Sequence, residues 1–142
     1  MESHNITALP AGSIITVTWN ADLGARAAVA ANFTGVSPAN PLDQWFNGWG
    51  ESITAFSYPA ATTTQMNELL VGGFGINAPI TETFTAVLPY TFVGCAATTG
   101  DTATSNIKAC MEYWIVSSSG RYNATGTLST ARKWGVVMAT FK

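Results

Sequence analysis

The chain has 142 residues, 47% of them apolar, but only six basic and eight acidic side chains. That falls short of the roughly quarter-to-third charged surface of a lone soluble domain. No base occurs between Arg26 and Lys108, and the five from Lys108 onward are too sparse for a nucleic-acid footprint. No apolar run reaches the roughly eighteen residues that cross a bilayer, so neither nucleic acid nor membrane insertion is expected. The length fits one domain over residues 1–142.

At the N-terminus, Glu2 and His4 stand where a secretory signal would carry positive charge, and Pro10 and Gly12 break the first apolar run. A protein that works without classical export, or a mature form, is expected. Residues 13–19 then alternate, with Ile15, Val17 and Trp19 on one side and Ile14, Thr16 and Thr18 on the other, the pattern of a half-buried strand. Further strand candidates are 27–33, 51–58, 80–88, 90–96, 107–117, 122–129 and 133–141, separated by Gly, Pro, Asn and Ser clusters. In 80–88, Glu82 shares the apolar side with Phe84, Ala86 and Leu88.

Two segments suggest helical turns instead. Residues 41–45 open with Pro41 and Asp43, and residues 64–70 place Met66, Leu69 and Leu70 at helical spacing before Gly72. Glycines 72, 73 and 75 suggest a bend where backbones approach. Eight short strands with one or two helical turns predict an all-β fold, an antiparallel β-sandwich for which a jelly roll is one arrangement. Cys95 and Cys110 flank a turn-rich segment and occupy cross-strand positions of a long hairpin. A disulfide there closes a loop of about sixteen residues, worth roughly 3 kcal/mol; two buried thiols are the alternative.

Chemistry has little to work with. His4 is the lone histidine and terminal, so no Ser-His-Asp or Cys-His arrangement is expected, and no catalytic residue is assigned. Residues 50–54 lack the second glycine of a nucleophile elbow, and residues 71–75 lack the spacing of a phosphate loop. Two cysteines do not supply a zinc site, and no metal or cofactor is expected. Asp43 and Glu51, flanking Trp45 and Trp49, are the carboxylate pair best placed beside an aromatic cleft for glycoside chemistry, against the commoner reading of solvated loop acids. Asn5, Asn32 and Asn123 begin glycosylation triplets, which arise easily by chance in so Asn- and Thr-rich a chain.

The binding candidate is the cluster of Asp43, Gln44, Trp45, Asn47 and Trp49, where flat aromatic faces sit beside amide and carboxylate groups. Two readings stand: a sugar platform, or aromatics that plug the core. The charge deficit joined to the strand content leads to a non-enzymatic structural domain that assembles with copies of itself. A virion capsid, spike or decoration subunit or an extracellular filament fits, since strand edges without Lys suit a closed or repeating lattice. The alternative is a carbohydrate-binding, lectin-like module. The expected location is a virion or extracellular surface, with the cytoplasm as the alternative. So few charges also predict a melting temperature that changes little between about pH 4 and pH 9.

Overall fold

The computed structural model describes residues 9–19, 24–98 and 106–142, apart from the side chains of Ser52, Ile53 and Pro59. His4, Asp101 and the Asn5 triplet lie outside these residues. The strands are β1 (Leu42–Thr62), β2 (Glu68–Asn77), β3 (Phe84–Ala86), β4 (Thr91–Ala97), β5 (Ile107–Val116) and β6 (Arg121–Phe141). They form one antiparallel sheet in the order β1-β6-β2-β5-β4. β1 holds one edge of β6, while β2 and β3 share the other, β2 along residues 134–141 and β3 along 126–128.

The sheet folds back on itself. Gly72 lies opposite Met138 on β6, yet a Cβ on Gly72 would stand 3.2 Å from the Ala124 Cβ. The stretch of β6 between Ala124 and Met138 would span about 46 Å if straight, so the strand must turn over the sheet. β1 turns with it, since a Cβ on Gly48 would overlap the Tyr58 ring. The turn falls where the β1–β6 ladder loses register, between Gly50–Trp134 and Ala55–Thr127. Extra residues in a ladder bend the strand and sharpen its twist.

The core fills the fold. Phe56 stacks on Trp134 at 4.8 Å and packs on Phe74 at 5.1 Å, and Phe74 meets Phe84 at 4.8 Å. Ile76, Val136, Met138, Ala124 and Leu128 complete it. Gly126 is required there, because a Cβ would come within 2.6 Å of the Phe84 ring and 2.9 Å of Phe56.

This arrangement corrects the predicted sandwich and jelly roll: all six strands share one sheet, and no second sheet is present among the described residues. Nor do the described residues contain a helix. Residues 41–45 enter β1, because the Asp43 carboxylate accepts from the Thr64 N–H and hydroxyl rather than capping a helical turn. Residues 64–67 bend, with Asn67 at φ 61°, and from Glu68 the period-2 burial of Leu70, Phe74 and Ile76 prevails over the helical spacing of Met66 and Leu69. Gly72, Gly73 and Gly75 lie within straight ladder rather than in a bend.

The strand candidates are redrawn too. Residues 51–58 belong to the longer β1, and 122–129 and 133–141 fuse into β6. Residues 80–88 supply only β3, since 79–82 is a turn closed by the Glu82 N–H on Pro79 O and held by the Lys108 ammonium on Ile80 O. Residues 13–19 and 27–33 pair with no strand. Among the described residues no helix is long and apolar enough to cross a membrane.

The Cys95–Cys110 disulfide joins register partners of β4 and β5, with Cα atoms 4.1 Å apart. Reduction is expected to cost on the order of 3 kcal/mol in urea denaturation, through the freedom the unfolded chain regains.

Candidate functional site

Strand alternation sorts the sheet into two faces. The inner one carries Thr140, Leu70, Met138, Glu112, Phe74, Cys110, Trp134 and Ile76, all buried. The outer face runs in register rows. Leu42–Phe141–Leu69–Ile115 is followed by Trp45–Ala139–Val71–Tyr113, Asn47–Val137–Gly73–Met111 and Trp49–Gly135–Gly75–Ala109. None of these positions is charged. The first charges along this face are Glu51 and Lys133, paired with each other at 3.0 Å where the sheet turns.

Large apolar side chains stand open on this face: Trp45 is 59% exposed, Trp49 80%, Val137 50% and Ile115 66%. Among the described residues only one end is covered, where Phe33 packs edge-on against Tyr113 at 5.3 Å. The small residues Gly73, Gly75, Ala109, Gly135 and Ala139 leave the rest flat. A second apolar segment is also unpaired: Ile14, Ile15, Val17 and Trp19 are exposed.

The sequence cluster is divided by this geometry. Trp45, Asn47 and Trp49 share the outer face, so the tryptophans do not plug the core. Their positions lie about 13 Å apart along the strand. Gln44 pairs with Thr140 on the opposite parity. Asp43 turns away to pair with the partly exposed Lys142 at 2.9 Å. Burial alone would raise its pKa; hydrogen bonds from Thr64 and then Lys142 prevail and lower it to about 2. Asp43 and Glu51 are separated by about 26 Å of extended strand, too far for the acid and base of a glycosidase. Among the described residues no group of three or more His, Cys, Asp or Glu is placed to hold a metal.

The turn that frames this face is held by Glu82, a residue whose role needs tertiary partners to be seen. Its Oε1 accepts from the Ser129 hydroxyl at 2.5 Å and the Thr130 N–H at 3.0 Å, and its Oε2 from Arg132 at 2.8 Å. Burial opposes ionisation here; the bonds from Ser129, Arg132 and Thr130 outweigh it and hold the carboxyl below its usual range. The Lys108 ammonium also donates to the Glu82 carbonyl, tying β5 to the same turn.

Glu112 behaves in the opposite way. It is 0% exposed, with one oxygen accepting the Thr125 N–H at 3.1 Å and the other without a partner. Desolvation pushes its pKa up to about 8. Buried carboxyls rather than the charge total then govern the proton linkage, and a clear pH dependence is expected in place of the near-constant melting temperature read from composition.

The chain matches no known protein-family model, and no curated protein or solved structure is similar to it.

Proposed function

We propose that this chain is a non-enzymatic structural subunit that assembles with copies of itself through the outer face of its sheet. The observation that carries this reading is the charge-free face with Trp45, Trp49, Val137 and Ile115 open on it. Four strands at about 4.8 Å spacing and seven or so residues of length make a patch of about 500 Å². Two copies pressed face to face would bury about 1,000 Å², the lower bound for a specific interface. Flat faces of this kind stack about 10 Å apart, so two chains would complete between them the sandwich that one chain lacks.

Residues 13–19 extend the reading beyond a pair. Their alternating apolar pattern suits a strand added to a neighbour's edge, and β4 offers an edge of seven residues with neither a charge nor a proline. A particle shell, a decoration layer or an extracellular filament uses such contacts, and the disulfide suits an oxidising location. The alternative, a sugar platform at Trp45 and Trp49, has exposed aromatic faces in its favour, but rings about 13 Å apart do not grip one sugar.

The test is Val137→Lys. Val137 is half exposed and its side chain adds little to the core, so the unfolding midpoint should stay within about 0.5 kcal/mol of the parent. The assembled species should disappear in sedimentation velocity, since each new contact would bury unpaired ammonium groups. Unchanged assembly would sink the outer-face interface.

A further inference from the structure

We propose that the pocket walled by Tyr90, Trp114, Tyr122 and Arg121 binds a carboxylated sugar of the hexuronate class. The pocket has a volume of about 530 Å³ and is completed by Val87, Leu88, Pro89, Asn123 and Thr125. That is the size of a small-ligand site. It lies among the β5–β6 connection and the segment before β4, apart from the apolar outer face.

Its walls are aromatic and orthogonal. Tyr90 meets Trp114 edge-on at 5.6 Å and 70°, and Tyr122 meets it at 5.1 Å and 89°. Trp114 is thus fixed from two directions while remaining half-buried, and presents an apolar surface suited to the C–H face of a sugar ring. Arg121 is the only charged residue of the lining, and its guanidinium has no ion pair or hydrogen bond among the described residues. A guanidinium in that position takes a carboxylate through two parallel hydrogen bonds.

The floor calls for hydroxyl groups. Tyr90 is buried and its Oη has no hydrogen-bond partner. A buried polar atom without a partner is rare and costly, and a ligand hydroxyl would satisfy Tyr90 Oη. Glu112 lies outside the lining and holds the N–H of the lining residue Thr125 through one carboxyl oxygen. Asn123, fixed by its Nδ2 on the Ser57 hydroxyl at 2.9 Å, adds an amide oxygen as acceptor. Tyr122 is already committed to Ser118 O at 2.7 Å and serves as wall only. Desolvation keeps Glu112 protonated below about pH 8, so no buried charge repels the ligand carboxylate.

Isothermal titration of the full chain at mildly acidic pH with sodium glucuronate, sodium galacturonate, glucose and sodium benzoate tests the assignment. One or both uronates should bind saturably, with glucose and benzoate at least about tenfold weaker, because glucose lacks the carboxylate and benzoate the hydroxyls. Arg121→Ala should remove the preference for uronate over glucose while the unfolding midpoint stays put, and Arg121→Lys should keep part of it. Three results would overturn the proposal: no heat from either uronate up to about 50 mM, glucose or benzoate binding as tightly as the uronates, or an Arg121→Ala chain that binds uronate like the parent. Val137→Lys, which breaks the proposed assembly, should leave this binding unchanged, so the two readings fail separately.

Discussion

Raising the pH from about 5 to about 8 is expected to destabilise the fold by on the order of 4 kcal/mol, and Glu112→Gln should abolish most of that loss. Glu112 has a folded pKa of about 8 against 4.5 for the unconstrained side chain. A raised pKa means that the folded state holds the proton more tightly. The stabilisation is therefore complete below about pH 4.5 and is lost as pH rises toward 8, by about 1.4 kcal/mol per unit in between. Glutamine keeps the acceptor for the Thr125 N–H but cannot ionise. Urea unfolding at several pH values checks this: the variant should have a nearly flat profile over this range and exceed the parent in stability at pH 8. Parallel profiles for the two chains would refute it.

On the acid side the sign reverses. Asp43 and Glu82 have depressed folded pKa values, so their contributions are present above the unfolded values and fall away as pH drops, for Asp43 between 3.8 and about 2. Stability should peak in mildly acidic solution.

Glu82→Ala should cost about 3 kcal/mol at pH values where the Glu82 carboxyl is ionised, and less as acid protonates it. The substitution strands the partly buried Arg132 guanidinium, the Ser129 hydroxyl and the Thr130 N–H at the turn of β6. Removing one member of a buried charge pair is costly mainly because the other is left without compensation. Glu82→Gln retains an acceptor and should lose less than the alanine variant. Chemical denaturation decides: a loss below about 1 kcal/mol for alanine would mean that the register slips alone hold the turn.

Strand content was legible because period-2 alternation is local. Residues 107–116 and 133–141 show inward and outward faces in sequence as they do in the structure, and the cysteine spacing matched the hairpin that carries the disulfide. The fold-back was not legible, since it depends on where the β1–β6 ladder slips and on which glycines admit a neighbour. Gly72 reads as part of a bend and Gly126 as an ordinary strand position in sequence, yet both sit within strands and make room for Ala124, Glu112, Phe56 and Phe84. The separation of Gln44 from Trp45 and Trp49 follows from parity. The diversion of Asp43 follows from Lys142, at the far end of the sequence, near which no local pattern could place it. The Tyr90–Trp114–Tyr122 pocket joins three segments that only the strand order brings together. The charge deficit was visible in composition; that its emptiest region is one continuous face required the register.

Light scattering on the unmodified, oxidised chain below pH 7, across a concentration series spanning micromolar to about 100 μM, decides whether the outer face is an interface. Self-assembly requires a mass that is a multiple of 14.9 kDa and falls on dilution. It should hold up against added salt, because screening acts on charges and this face has none. A constant mass of 14.9 kDa across the series would show that the exposed Trp45, Trp49, Val137 and Ile115 serve no contact between copies.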